Sequence, residues 1–382
     1  MPRVIRAALL FIIAAAVDTC VFAAFCSSAS LPRLLRHSAP SMTELQSSAG
    51  PQKMTTNALI RLTRSIIPPL SPSLRKGDLG CVAVIGGCFE YTGAPFYAAI
   101  SALKTGADLA HVFCTPGASV PIKSYSPELI VHPVLACSNE SGSRSPIDSI
   151  EEIGRWLKKM TAVVVGPGLG RDDATLQVAS AIMQKAREMD LPLVIDADGL
   201  HVVRLDPQLV KGYRRCILTP NANEFQRLRD ALPADKTDPA AAGQPLSVVK
   251  ENPQHPLPKI TEEALSLTSA LCRALDGVTI VRKGPSDCIS DGRVGMVCAV
   301  TGASKRAGGQ GDVLSGSAAT FVSWAMRGTD EAEGPPRHLL ACYGACALTR
   351  ASAAAAFAKK RRSMTAPDVI SELGEVFESL CG

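Results

Sequence analysis

KRAGGQGDVLSG, residues 305–316, sets three glycines and a glutamine directly ahead of one acidic residue, Asp312, after which an apolar stretch begins. Glycine-rich turns that open helices leave backbone N–H groups and the positive helix end facing outward, an arrangement suited to phosphate. A carboxylate at such a mouth asks for a reason. Helix-start stabilisation is one, worth about 0.3–1 kcal/mol at an exposed terminus. It accounts for the Asp but not for the glycines, which cost conformational entropy unless the backbone must approach something closely. Successive amides can converge on one anion as a nest. If that anion is a transferring phosphoryl group, the carboxylate gains a second role, taking the proton from an attacking hydroxyl.

Upstream of this motif, short apolar runs alternate with longer amphipathic ones. The runs CVAVIG (81–86), LAHVF (109–113), AVVVG (162–166), PLVID (192–196), CILT (216–219) and VTIVR (278–282) read as strands. Helices are expected over 96–104, 174–188, 261–275, 312–326 and 338–355. The alternation predicts α/β architecture, with a mostly parallel central sheet and helices on both faces. After 282 the pattern changes: DCIS (287–290) and GMVCAV (295–300) read as a hairpin turning at Asp291-Gly292. The proline-rich segment 231–258 lacks apolar periodicity and reads as a surface insertion in one domain spanning about 60–382.

With 382 residues, 46 % hydrophobic and 4 % aromatic, the chain can bury one large core or two modest ones. The net charge of +5 is misleading, because residues 1–64 carry seven Lys/Arg against two acidic groups, which leaves 33 of each sign on 65–382. That neutral body does not indicate a nucleic-acid partner. The leader, 1–55, starts with two arginines and an apolar run that ends at Asp18, too short between charges for a membrane span. It reads as a removable targeting peptide, mitochondrial or secretory, leaving no membrane segment in the mature form. An alternative is a true start at Met42 or Met54, with a cytoplasmic product. None of the thirteen cysteines is spaced as CxxC, and Cys81, Cys114, Cys216 and Cys298 fall inside apolar runs, as small buried hydrophobes do. The histidines include no paired spacing, so no His-ligated metal is expected. Asn139-Glu140-Ser141 fits a glycosylation sequon.

Three more elements carry chemistry. VIGGCFEYTGAP (84–95) and VVVGPGLGRDD (163–173) are strand–glycine-turn–helix junctions. The second reads GxGxG rather than the GxGxxG of a dinucleotide fold, and neither carries the Lys-Ser/Thr ending of a P-loop. In LTPNANEFQRL (218–228) Asn221 and Glu224 have capping-box spacing; Glu224 could equally help position Mg²⁺ with phosphate or water. VRKGPSD (281–287) puts Lys283-Gly284 at a strand end, where the residues read either as a turn or as a phosphate-reaching lysine.

GPGLG, IDADGL (195–200), TPNxxEF (219–225), KG (283–284) and GGQGD (308–312) occur in the order seen in the ATP-dependent NAD(P)H-hydrate dehydratases of the ribokinase-like superfamily. The chain resembles that family from about Lys76 onward. GGCFEYTGAPFYAAISALKTGADLAHVF (86–113) looks close to the eukaryotic version. The resemblance implies a repair reaction in which ATP drives dehydration of the S form of hydrated NADH or NADPH (NADHX, NADPHX) to NAD(P)H, ADP and phosphate, with Mg²⁺. It implies Asp312 as the catalytic base. Substrate contacts carry over to Gly168, Asn221, Ala222, Asn223, Glu224, Phe225, Gln226, Arg227 and Asp312. ATP contacts carry over to Lys283, Gly284, Pro285, Ser286, Asp287, Gly302, Ala303, Ser304, Lys305, Arg306, Ala307, Gly308, Gly309, Gln310 and Gly311. A homo-oligomer and a functional partnership with an NAD(P)HX epimerase are also implied. Ala222 and Ala307 are small where related sequences often have larger residues. Two rival readings are a small-molecule kinase of the same superfamily, which stops at the phosphorylated alcohol, and a non-catalytic nucleotide binder.

Overall fold

The computed structural model describes residues 56–239, 247–249, 258–330 and 334–381. The expected targeting peptide therefore lies outside the described residues. Ten strands make one sheet in the order β3-β2-β1-β4-β5-β6-β8-β9-β10-β7. They are β1 (Cys81–Ile85), β2 (Leu109–Cys114), β3 (Ile130–Pro133), β4 (Ala162–Val165), β5 (Leu193–Ile195), β6 (Cys216–Leu218), β7 (Ser247–Val249), β8 (Thr279–Arg282), β9 (Asp287–Ser290) and β10 (Val294–Cys298). β1 to β6 and β8 run parallel, whereas β9 is antiparallel to both β8 and β10. The expected hairpin is present, and the Asp291 carboxylate closes its turn by accepting from the amides of Arg293 and Val294, both at 2.8 Å.

Strand periodicity sorts the core into two layers. Val82 and Val84 join a cluster with α1 (Thr56–Ser65), α2 (Gly93–Thr105), α10 (Gln310–Ala325), α11 (Arg337–Lys360) and α12 (Ala366–Cys381). Ala83 and Ile85 face the opposite cluster, with α4 (Pro146–Leu157), α5 (Asp173–Glu188), α6 (Asp198–Leu205), α7 (Ala222–Asp230) and α9 (Lys259–Ala274). Successive side chains alternate across a strand, so these runs read as continuously apolar because helices cover both faces. Two helices of the first layer, α2 and α10, approach closely at Gly316, where a methyl group would lie 1.9 Å from the Ala98 carbonyl oxygen. α11 is long and apolar enough to cross a membrane by length and composition, and most of it is buried inside the fold. The expected burial of Cys81, Cys114, Cys216 and Cys298 is observed.

Several elements were not expected. α3 (Pro116–Tyr125) begins with one proline and contains another, Pro121, which masks its helical pattern. β3 is a four-residue, half-exposed edge strand ending at Pro133. The 231–258 segment holds a helical turn, α8 (Ala234–Thr237), and supplies β7, which pairs parallel with β10 at the sheet edge. Its other residues from 240 to 246 and 250 to 257 lie outside the described residues.

The chain returns across β1 to place β4 on the side opposite β2, creating a topological switch point. Open parallel sheets bind ligands at the carboxyl ends of their strands near such a point. The glycine turns after β1 and β4 sit there, and Asp196, Asn221 and Lys283 follow the ends of the neighbouring strands β5, β6 and β8.

Candidate active site

β8 delivers Lys283 to the carboxyl edge of the sheet, and the Lys283 amide donates to the Pro220 carbonyl at 2.8 Å, tying it to the loop after β6. Its ammonium donates to Asp196 Oδ1 at 2.7 Å. Asp196 is 2 % exposed, so this is a pair held largely away from water. Burial alone would push the Lys283 pKa down, but Asp196, Glu224 and Asp312 around it prevail and raise it. Ala197, directly after Asp196, has φ 48°, a left-handed conformation that is costly for a residue with a Cβ. Its neighbour is fixed on both sides, by the Lys283 pair and by the Asp196 amide, which donates to the Val165 carbonyl at 3.1 Å.

The helix after β6 starts with a complete capping box. Asn221 Oδ1 accepts from the Asn223 and Glu224 amides at 3.0 Å, and Glu224 Oε2 accepts from the Asn221 amide at 2.8 Å. The capping reading of Glu224 is therefore realised. Its carboxyl also faces the site: burial raises its pKa, with Lys283 pulling the other way.

The 305–316 motif completes the centre. Gly309 is the N-cap of α10 with φ 90°, a conformation that favours glycine, and Asp312 lies in the first helical turn. A methyl group on Gly311 would lie 3.2 Å from Lys283 Nζ and 3.5 Å from Asp196 Oδ2, so the missing side chain opens the ion pair to the helix start. Around Gly308 nothing comes within 4 Å of a methyl position. Among the described residues, none accepts a hydrogen bond from the amides of Gly308, Gly309, Gln310 or Gly311. Burial, reinforced by the nearby Asp196 carboxylate and only partly offset by Lys283, pushes the Asp312 pKa up to about 8. Unspent donors, a cation and a strengthened base thus share one helix mouth, which suits transfer of an anionic group to a hydroxyl.

This mouth opens on a cleft of about 710 Å³. Of the residues expected to meet nucleotide or substrate, the cleft brings together Asn221, Ala222, Lys283, Gly284, Pro285, Asp287, Gly302, Ala303, Ser304, Lys305, Arg306, Gln310 and Gly311. Arg350, unforeseen, braces its wall: it donates to the carbonyls of Gly284, Pro285 and Val300 and pairs with Asp287 Oδ2 at 3.2 Å.

Other expected contacts are placed differently. The Asp287 carboxylate is occupied, accepting from Arg350 and from the Gly284 amide at 3.0 Å, so it shapes the 284–287 turn rather than offering a free group to nucleotide. Phe225 is 1 % exposed and packs in the core beneath Arg282, 4.3 Å from its guanidinium carbon, so its ring is no substrate contact. Gln226 Nε2 donates to Asp230 Oδ1 at 2.7 Å on the exposed side of α7. The Lys305 ammonium reaches the Arg362 carbonyl, and Gln310 Nε2 donates to the Lys305 carbonyl at 3.2 Å. Gly168 accepts from the Gly87 amide at 3.0 Å, and a methyl there would meet the Tyr91 carbonyl oxygen at 2.4 Å, so it joins the two glycine turns. Asp196, within IDADGL, was not singled out by sequence reasoning; an acidic residue closing a buried strand was the available signal.

The chain is similar to known proteins in both sequence and fold. Residues 82–375 match a family model described as NAD(P)H-hydrate dehydratase. Over 322 residues the chain is 46 % identical to the ATP-dependent (S)-NAD(P)H-hydrate dehydratase of Homo sapiens, covering 84 % of each. Against the enzyme of the same description from Arabidopsis thaliana the identity is 42 % over 327 residues, covering 83 % of this chain and 84 % of the relative. Among solved structures, a ribokinase-like protein of Enterococcus faecalis superposes with TM-score 0.62 at 19 % identity, covering 86 % of this chain and 96 % of that one. An ADP/ATP-dependent NAD(P)H-hydrate dehydratase from Bacillus subtilis, co-crystallised with ATP/Mg²⁺, superposes with TM-score 0.58 at 18 % identity, covering 87 % and 100 %. These two structures establish the ribokinase-like fold; the sequence matches go further, and the chain belongs to the NAD(P)H-hydrate dehydratase family and is an ATP-dependent enzyme of that kind.

Proposed function

We propose that Asp312 and the unspent amides of 308–311 perform the phosphoryl step of the dehydration. The deprotonated Asp312 takes the hydroxyl proton of the hydrated nicotinamide ring as that oxygen bonds to the γ-phosphorus of ATP and the bond to ADP breaks. The amides of Gly308 to Gly311 and the Lys283 ammonium hold the charge that spreads over the transferring group. The ring oxygen then leaves as phosphate, a far better leaving group than hydroxide, while the neighbouring ring carbon loses a proton to water or to the departing phosphate, and the double bond of NADH or NADPH is restored. A base titrating near 8 is matched to this work, since general bases are most effective with a pKa close to the working pH.

Magnesium would bind here as a partner of nucleotide phosphates, not as a resident ion. Among the described residues no group of three or more His, Cys, Asp or Glu side chains could hold a metal. Asp196 is committed to Lys283, and Glu224 and Asp312 are the carboxylates left at the mouth. Mg²⁺ needs only one or two carboxylates beside phosphate oxygens, and it would supply further neutralisation of phosphate charge.

The observation that carries the reading is the coincidence of unspent amides with a half-buried base beside Lys283. Incubating the full chain with ATP, Mg²⁺ and (S)-NADHX tests it. Free phosphate and recovered nicotinamide absorbance in equal amounts are expected. ADP with a stable phosphorylated product would instead identify the kinase alternative.

A further inference from the structure

Asn221 and Ala222 line the cleft, whereas Arg227, further along α7, lines a second hollow of about 380 Å³ with Arg171, His201, Arg204, Asp230 and Ala231. A smaller inner space of about 120 Å³ shares Arg171, His201, Arg204 and Arg227 and continues to Ala197, Asp198 and Glu224. Ala197 adjoins Asp196, and Glu224 acts on Lys283, so the inner end abuts the catalytic centre.

In the outer space the cations outnumber the acids, whereas the inner space adds the carboxylates of Asp198 and Glu224. Three guanidiniums face the outer space with one carboxylate, Asp230, which already accepts from Gln226. Arg171 Nε lies 3.5 Å from Asp198 Oδ1. Among the described residues, no carboxylate lies within 4.0 Å of the Arg204 or Arg227 guanidinium. Arg204 donates to His201 Nδ1 at 3.3 Å, which requires a neutral imidazole, and burial together with Arg171 and Arg204 lowers the His201 pKa in the same sense. Ordinary surface arginines point apart into water. These come from three separate elements, the turn after β4, α6 and α7, and converge on one concave space. Guanidinium forks match phosphate oxygens in shape and charge.

We propose that the hollow holds a phosphate group of the substrate dinucleotide, with Arg171, Arg204 and Arg227 as its donors. The proposal rests on the functional reading above, because hydrated NADH carries a pyrophosphate and hydrated NADPH a 2′-phosphate besides. With the reacting ring at Asp312, the remainder of the dinucleotide runs past Glu224 and one helical turn along α7 to Arg227.

Steady-state kinetics of Arg171→Ala and Arg204→Ala on (S)-NADHX and (S)-NADPHX, at near-physiological salt, test it. Removing one charge-assisted hydrogen bond to phosphate is expected to raise KM about tenfold, with kcat changed less than threefold and part of the affinity recovered by Arg204→Lys. A rise for both substrates assigns the hollow to the pyrophosphate, and a rise for NADPHX alone assigns it to the 2′-phosphate. KM values within twofold of wild type for both substrates overturn the proposal, as does a fall in kcat without a change in KM. If the wild-type chain fails to dehydrate either hydrate, the functional reading fails. Fluorescence titration of wild type and Arg204→Ala with NADPH then still decides the hollow: equal affinity overturns it, and about tenfold weaker binding by the variant upholds it.

Discussion

Two glycine-rich turns at the carboxyl edge of the sheet look alike as strings and behave oppositely. In 166–170 the glycines are consumed by packing: a methyl on Gly166 would stand 1.8 Å from the Asp196 carbonyl oxygen, Gly168 bonds Gly87, and the Gly170 amide donates to Asp198 at 3.2 Å. In 308–311 the amides are unspent and Gly308 faces open space. One residue touches both turns. The Asp196 carbonyl sits against the first, and its carboxylate faces Gly311 in the second. Glycine therefore marks close approach in both places, but only the surroundings tell whether what approaches is protein or ligand.

Breaking the shared link has the largest expected effect. Lys283→Met leaves Asp196 buried and unpaired, at a cost of about 3–5 kcal/mol, read as a lowered denaturation midpoint. It also removes the cation that holds the Asp312 pKa down, so the midpoint of any residual pH–rate curve moves up. Gly166→Ala should cost about 2–5 kcal/mol, from left-handed strain at φ 126° and the clash with Asp196. Thermal unfolding would show it, and a midpoint equal to wild type would mean the first turn is not a packing device.

The pH dependence sharpens the contrast further. The basic form of Asp312 is the active one, so kcat/KM should rise with pH through about 8. Stability carries the opposite sign: a carboxyl whose folded pKa is raised costs stability as pH climbs from its usual 3.8 to about 8. Asp312→Asn should accordingly unfold at a higher temperature than wild type at pH 9 and lose that advantage near pH 4. The smallest effect belongs to Gly308→Ala, within about 1 kcal/mol in stability, since open space receives the methyl. Its KM for ATP should nevertheless rise measurably, unlike its melting temperature.

Much of the fold was legible because strands covered on both faces are continuous apolar runs, and six of the parallel strands announced themselves so. Prolines hid α3, and brevity hid β3, α6 and β7. α12 was legible and unread: Val369, Leu373, Val376 and Phe377 repeat at helical spacing against the core. At the site, Asp312 and Lys283 stood out because glycine flanks them. Asp196 and Arg350 did not, since their meaning lies in distant partners: Arg350 braces Pro285 and Val300, 65 and 50 residues away in the chain. Phe225 directly follows Glu224, which lines the site, but turns its ring inward, a distinction of side-chain direction that linear order does not carry.

The central claim is that the 308–311 amides hold the phosphoryl group while Asp312 alone removes the proton. Asp312→Asn measured side by side for ATP binding, by calorimetric titration, and for recovery of NADH absorbance from its hydrate is the most direct test. ATP affinity within about threefold of wild type with turnover reduced by about 10²–10⁴ is the predicted result. Turnover near the wild-type rate, or nucleotide binding abolished along with it, would contradict the account.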